Sequence, residues 1–310
     1  MFELSRLAFL HAVHAHGSVG AAARELGYTS SAVSQQVTKL EREVGLRLLE
    51  PAGRGVVLTD AALVLVEAAA AIDATREVAD GRLEALAGGR TGLLRVACFP
   101  SAIRGVMATA LSAVVAAAPE LRVQLHEMAP EQGIEAVASG RVDLALVHDW
   151  VHDRISFPAI LEPVHLTDDP VDLLLPARHP LAGRRSIRLD ETVRDVWVTD
   201  VSDSICTRWI IDMLTAATPH PRLDFRAEEY ASQVALVGAG LCVGVLPRRG
   251  RPALPRTVRA VPIRGPAPTR RFIAVVRKSS TRRPATTLLV DQLAHDLTGD
   301  LTRRGPGSRR

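Results

Sequence analysis

The residues best equipped for chemistry lie between positions 29 and 39. Thr29, Ser30, Ser31, Ser34, Gln35, Thr38 and Lys39 recur on one side of a helical repeat, with Arg42 a turn further on. Short hydroxyls and an amide can read base edges in a major groove, and cations can meet phosphate, so this set has the chemistry of duplex recognition. Arg54, between Gly53 and Gly55, adds a cation suited to a minor groove or a phosphate. Each of these groups could equally be the solvated face of an ordinary helix pair, so the elements around them carry the argument.

The opposite side of the same repeat holds Val33, Val37, Leu40 and Val44, an apolar stripe that can pack inward. Residues 21–26 read as a compact first helix, Gly27 as the turn, and Thr29 as the cap of the second helix. Residues 3–16 supply a preceding helix with Leu4, Leu7, Leu10 and Val13 inward. Residues 46–49 and 56–59 read as two strands of a wing turning on Gly53 and Gly55. A winged helix-turn-helix follows from this order. Residues 1–60 hold six cations and six acids, so affinity for a polyanion must come from where the cations point rather than from net charge.

From 59 to 87 the chain is alanine-rich and free of proline. Leu65, Ile72, Ala79 and Leu86 stand seven residues apart, with Ala69, Arg76 and Leu83 at companion positions, the spacing of a coiled-coil seam. Gly88, Gly89 and Gly92 end that helix. Strand and helix patterns then alternate. Strands are expected at 93–99, 121–127, 142–147, 161–167, 170–175, 196–199, 223–227, 242–246 and 272–276, and helices at 103–117, 132–139, 205–216, 232–239 and 286–297. The first part of this series has the pattern of a parallel α/β half-domain.

The 310 residues exceed a usual single core and suggest two or three units. The net charge is +4, with twelve Lys or Arg and no acid from 248 to 283, a segment that reads as a solvated basic face rather than a second DNA surface. No apolar run free of charge and proline has the length of a membrane span, and no basic stretch followed by an apolar one opens the chain, so a cytoplasmic location without membrane contact is expected. Cys98, Cys206 and Cys242 are too few and too scattered for a disulfide scaffold or a zinc site. Phosphate-loop, zinc and nucleophile-elbow motifs are missing, which argues against an enzyme and for no cofactor.

The chain resembles the LysR-type transcriptional regulators. The resemblance is carried in register by Leu4, Gly17-Ser18, Ala22-Ala23, Leu26, Ser31-Ala32-Val33-Ser34, Leu40-Glu41, Gly45 and Leu58-Thr59, and further on by the stretches GRVDLALV, RHPLA and VGAGLCVGVLP. It departs where the family carries phenylalanine and then arginine, here Leu49, Glu50 and Pro51, and at Thr59-Asp60-Ala61-Ala62. The resemblance implies an α/β protein with an N-terminal winged helix-turn-helix at 1–60 and a linker and dimerisation helix at 61–90. A two-lobed, periplasmic-binding-protein-like effector domain would follow at 91–310, with lobe I at about 91–167 and 268–300 and lobe II at about 168–267. It implies double-stranded promoter DNA, a small-molecule effector, further copies of the chain as a dimer or tetramer, and RNA polymerase as partners.

Within that fold, sites form where strand ends meet helix N-termini. Ser101 and Ala102 follow the first strand of the effector domain, and Ser202 and Ser204 precede a helix in the second lobe. His148 and Asp149 end a strand that the resemblance places at the cleft, and Glu229 and Tyr230 lead into a further helix on the same basis. Helix N-termini favour an anionic group, and with Asp149 or Glu229 in the cleft a zwitterionic, amino-acid-like effector would fit. Two other readings stand beside the regulator: a solute-sensing protein with no DNA role, and a redox-responsive regulator working through Cys206 and Cys242, the latter in an apolar strand.

Overall fold

The structure, a computed structural model, describes residues 2–303 apart from 53–54, 87–90, 152, 202–204, 218–219 and 266–268, and leaves out the side chains of 84–86, 205, 206, 209, 213, 217 and 299–303. Arg54, Ser202 and Ser204, with Gly88 and Gly89, therefore lie outside the described residues. The chain divides into two compact units, Met1–Leu83 and Glu84–Arg310.

In the first unit a 3-10 turn at Leu4–Arg6 leads into α1 (Leu7–His16), followed by α2 (Val19–Leu26) and α3 (Ser30–Val44). Each of the last two helices starts on a hydroxyl: the Ser18 side chain accepts from the Ala21 amide and the Thr29 side chain from the Ala32 amide. Gly27 closes α2 at φ 71°, a left-handed conformation that a side chain would strain, and turns the chain straight into α3. Val37 and Leu40 bury against Leu7 and Leu10, and Val33 against Val13, Ala22 and Ala23, so the apolar stripe of α3 is the core of the unit.

The wing is the antiparallel pair β1 (Leu49–Ala52) and β2 (Gly55–Leu58). It begins later than 46–49 because one Glu41 carboxylate oxygen on α3 accepts from the Leu48 and Leu49 amides at 2.8 and 3.2 Å, holding the connector to the helix before pairing starts. Leu49, at the family's phenylalanine position, packs on both apolar clusters. The Thr59 hydroxyl then accepts from Ala62 and starts α4 (Asp60–Leu86). Ala62, Val66 and Ala69 of α4 bury in the same core, whereas Ile72, Val78 and Leu83 beyond them are exposed on the single chain.

The second unit runs β3 (Gly92–Cys98), a short helix α5 (Pro100–Ala102), a wide π-type turn at Ile103–Met107, α6 (Ala108–Ala117), β4 (Leu121–Glu127), α7 (Pro130–Ala138), β5 (Leu144–Trp150) and β6 (Leu161–Pro176). It continues with β7 (Val196–Thr199), α8 (Ile205–Ala217), β8 (Arg222–Arg226), α9 (Tyr230–Gly238), β9 (Gly244–Pro247), β10 (Val258–Pro262), β11 (Thr269–Arg277) and α10 (Pro284–Arg303). The run Pro100–Ala117 is long and apolar enough by composition to cross a membrane. Here Val106, Met107, Ala110 and Val114 lie in the core with Leu289 and Leu293 of α10.

The two expected strands at 161–167 and 170–175 are a single strand, β6, that serves both lobes. Leu161 to Pro170 pairs with β11, and Val171 to Pro176 pairs with β9 and β10. Pro170 is tolerated because it sits where β6 changes partners. The first lobe is a mixed sheet rather than a parallel one: β3, β4 and β5 run parallel, and β11 enters antiparallel between β5 and β6. Strand β10, absent from the sequence expectation, borders the second lobe.

The basic segment 248–283 is a solvated face only in part, through the exposed Arg256, Arg259, Arg264, Lys278 and Arg282. Arg248 and Arg251 meet Asp172, Arg270 meets Asp169, Arg271 meets Asp149, and Arg283 meets Asp143. These five of the twelve cations are the counter-ions of four aspartates from β5, β6 and the turn before β5, which explains how one stretch is both strand-like and strongly basic. Asp169 and Arg270 are directly opposed across β6 and β11, 2.7 Å apart and with no exposed surface. We predict that Arg270→Met, which strands the Asp169 carboxylate, lowers the unfolding free energy of the C-terminal unit by about 3–5 kcal/mol, and that Asp169→Leu combined with Arg270→Met recovers about half of it. Denaturant titration followed by tryptophan fluorescence checks this, since Trp150, Trp197 and Trp209 all fall in that unit.

Candidate DNA-reading face and ligand cleft

On α3 the burial of Val33, Val37 and Leu40 turns the other side of the helix outward. Thr29, Ser30, Ser31, Ser34, Gln35 and Lys39 are exposed and Thr38 is half-buried, so the groups anticipated for base and phosphate contact share one solvent-facing surface with Arg42. Thr29 is partly committed as the helix cap. The charge balance of this unit is resolved by position: Arg6 pairs with Glu3 and Glu43, and Glu41 is occupied by the wing amides. Contact with Arg6 and the Glu3 amide holds the Glu43 carboxyl below its ordinary range. Arg24, Lys39, Arg42 and Arg47 are left exposed with no ion pair among the described residues, as are Glu25, Glu50 and Asp60.

The second unit holds a cleft of about 760 Å³ with walls from both lobes. Phe99, Pro100, Ser101 and Arg104 form one part of the first wall, Glu127 to Gln132 another, and His148 and Trp150 reach it from β5. Asp200, Glu228, Glu229, Tyr230 and Gln233 come from the second lobe. Of the residues expected here, Ser101, His148, Glu229 and Tyr230 line the cleft. Ala102 does not; it is buried in the core with Met107.

Asp149 does not line it either, for a reason built into strands. Neighbouring residues point to opposite faces, so His148 turns to the cleft while Asp149 turns away, where it is fully buried, pairs with Arg271 and accepts from the Ile155 amide. The Arg271 guanidinium is in turn held above its ordinary pKa by that carboxylate.

Ser101 is positioned by the buried pair. Its hydroxyl oxygen accepts from Arg270 Nη1 at 2.9 Å, while Arg270 Nη2 reaches Asp169 and the Arg249 carbonyl. The Arg270 guanidinium lies against the Phe99 and Phe272 rings, 5.2 and 4.8 Å from their centroids, which are themselves 5.5 Å apart. Burial pushes the Asp169 carboxyl up, against the pull of Arg270. Phe99 also packs edge-on to His148, at 4.6 Å between centroids.

Several residues of this site escaped the sequence reading because they meet only in three dimensions. The wide turn at Ile103–Met107 brings Gly105 against the loop after β9, where a Cβ on Gly105 would stand 2.7 Å from the Gly250 nitrogen. Gly250, at φ 69°, leaves no room for a side chain, since its Cβ would stand 1.7 Å from the Ser101 carbonyl oxygen. Arg104 donates to the Gly250 carbonyl at 3.3 Å and lies over the Tyr230 ring at 5.9 Å, so it reaches from the first lobe to the second. Glu127, Glu131, Asp200, Glu228 and Gln233 carried no motif; only the cleft assembles them.

An exposed reading helix with a wing in one unit, and a cleft between two α/β lobes in the other, define a DNA-binding protein with a ligand-binding unit. Residues 4–63 match the family described as bacterial regulatory helix-turn-helix protein, lysR family, and residues 87–298 match LysR substrate binding domain. The chain belongs to the LysR family of transcriptional regulators, a family of regulators and not of enzymes. It is 28% identical over 270 residues to the uncharacterised HTH-type transcriptional regulator YnfL of Escherichia coli, covering 84% of this chain and 87% of that protein. It shares its fold with a full-length OxyR variant from Pseudomonas aeruginosa (TM-score 0.70, 21% identity, 94% of this chain and 95% of that one). Full-length CbnR in complex with its target DNA is a further neighbour (TM-score 0.54, 21% identity, 94% and 99% coverage).

The alternatives weighed from sequence are not favoured. A solute sensor without a DNA role conflicts with the matched helix-turn-helix region. For the redox reading, Cys242 is buried and its thiol is pushed up to about 11, which keeps it protonated and unreactive at neutral pH, while the Cys206 side chain lies outside the described residues. Cys98 is likewise buried, with its thiol pushed up by burial.

Burial, helped by the nearby Arg270 charge, holds the His148 imidazole well below its ordinary value of 6.5, so it stays neutral in the folded chain. Below pH 6.5 the unfolded chain binds a proton that the folded unit refuses, so His148 contributes stability that is present above 6.5 and lost as pH falls beneath it. Unfolding followed by tryptophan fluorescence is expected to show stability falling between about pH 6.5 and 5, with a shallower fall in His148→Asn. An unchanged slope in that variant would assign the dependence to other groups.

Proposed function

We propose that this chain is a cytoplasmic regulator that reads promoter DNA through α3 and the wing and responds to a small molecule held in the cleft of its C-terminal unit. The observation that carries the reading is the exposed face of α3, polar and cationic while its other side is the unit's core. Ser30, Ser31, Ser34, Gln35 and Thr38 read bases. Thr29, Lys39 and Arg54 take phosphate or groove contacts. Residues 1–60 form the DNA-binding domain, 61–90 the linker helix and 91–310 the effector domain.

The apolar positions of α4 beyond the winged unit, Ile72 and Leu83 among them, support a dimer built on that helix, so that two reading helices address two half-sites. A tetramer and contact with RNA polymerase belong to the same reading. In the cleft, Ser101, His148, Glu229 and Tyr230 are the effector contacts supported by the lining, Ser202 and Ser204 remain proposals from sequence, and Asp149 and Ala102 are withdrawn.

Gel-shift titration with the intergenic DNA next to the gene tests the reading. Gln35→Ala is expected to change base preference by about 1–3 kcal/mol at one position, whereas Lys39→Ala weakens binding to all sequences and reduces the salt slope by about one. Identical behaviour of the two variants would refute the division between base and phosphate roles, and a folded dimer that binds no DNA would refute the regulator.

A further inference from the structure

We infer that the effector is an organic cation, an amine or guanidine on an apolar or aromatic body, in place of the anion that helix N-termini by themselves would favour. The inference rests on the reading of the cleft as the effector site and names the ligand class of that site.

The charge of the walls carries it. Among the described residues, Glu127 and Glu131 stand on the first lobe and Asp200, Glu228 and Glu229 on the second, against a single guanidinium, that of Arg104. Arg104 is already engaged with the Gly250 carbonyl and the face of Tyr230. Glu127, Glu131, Glu228 and Glu229 have no ion pair among the described residues, although every aspartate around the hinge has one.

The helix N-termini do not reverse this balance. Those of the Pro100–Ala117 run, α7 and α9 open on the cleft, each equivalent to roughly half a positive charge. Two of them already face a carboxylate of their own: Glu131 lies in the first turn of α7, and Glu229 is the residue before α9. Three half charges and one guanidinium come to about +2.5 against five carboxylates among the described residues, so the space between the walls is net negative.

An independent observation points the same way. Gln233 lines the cleft and is only 5% exposed. Its amide nitrogen donates to the Ala227 carbonyl at 2.8 Å, which fixes the side chain's orientation and leaves the carbonyl oxygen at the cleft with no hydrogen bond among the described residues. That oxygen is an accessible acceptor facing a cavity, and an ammonium or guanidinium, which supplies donors only, is complementary to it. Phe99, Trp150 and Tyr230 provide an aromatic lining for the body of such a ligand. Carboxylates on both walls repel one another across the empty cleft, and a cation between them removes the repulsion, which couples binding to the spacing of the lobes.

The test is calorimetric titration of the full-length protein with putrescine, agmatine and 2-phenylethylamine, and with succinate and 3-phenylpropionate as anionic counterparts. Glu228→Gln combined with Glu229→Gln changes exposed side chains only, and Ala129→Trp fills the mouth from an exposed position on the first lobe. At least one amine is expected to bind, about fivefold or more weakly in the double variant and more weakly as salt rises, with no measurable binding in Ala129→Trp. Binding of the anions with Ala129→Trp blocking them would overturn the cationic ligand and leave the cleft as the effector site. Amine binding that neither variant weakens would overturn the proposal by placing the amine elsewhere. Absence of binding by all three amines, in protein that still shifts DNA, would overturn it while leaving the DNA-reading assignment intact.

Discussion

The Asp169–Arg270 pair is the constraint on which the C-terminal unit is organised. Two charges with no exposed surface are tolerated because the terminal nitrogens of the guanidinium are matched by a carboxylate, a hydroxyl and a carbonyl, with two aromatic rings beside it; Nε alone has no partner among the described residues. Taking charges out of water costs several kcal/mol per ion, and such a pair seldom adds much net stability over an apolar substitute. Its consequence is placement. The pair stands on β6 and β11 at the step where β6 leaves one lobe's sheet for the other's, and it fixes Ser101 and the Arg249–Gly250 backbone to the same point.

The aspartates of β5 and β6 and the arginines around β11 extend that logic outward. Asp149 with Arg271, Asp172 with Arg248 and Arg251, and Asp143 with Arg283 tie strands that are far apart in sequence. Those near the surface are worth less than their number suggests, because solvent screens them. Together they neutralise part of a stretch that as sequence reads as a solvated basic face. The glutamates of the cleft differ: Glu127, Glu131, Glu228 and Glu229 have no ion pair among the described residues, and they line a cavity from both lobes.

In the N-terminal unit the division of labour is simpler. Apolar residues on one side of α3 hold it to α1 and α2, and Glu41 on the same helix anchors the wing through two backbone amides. Reading helix and wing therefore move as one piece. Arg6 pairs with both Glu3 and Glu43 at one edge, which leaves Arg24, Lys39, Arg42 and Arg47 as exposed cations with no ion pair among the described residues, on a domain without net charge.

The winged unit was legible in the sequence because its information is local: caps, a turn glycine and an apolar stripe at helical spacing all lie within thirty residues, and Ser18, Gly27 and Thr29 do in the structure what their chemistry dictates. The alternation of strands and helices in the second unit was legible for the same reason. What the sequence could not reveal was which face of β5 meets the cleft, so that His148 lines it and Asp149, one residue on, does not. Nor could it reveal that β6 is one strand shared by two sheets, or that the arginines of 248–283 find their aspartates inside the unit. Pairing of charges a hundred residues apart, and the sign of a cavity assembled from both lobes, depend on strand register and chain crossing, and these exist only once the tertiary structure has formed.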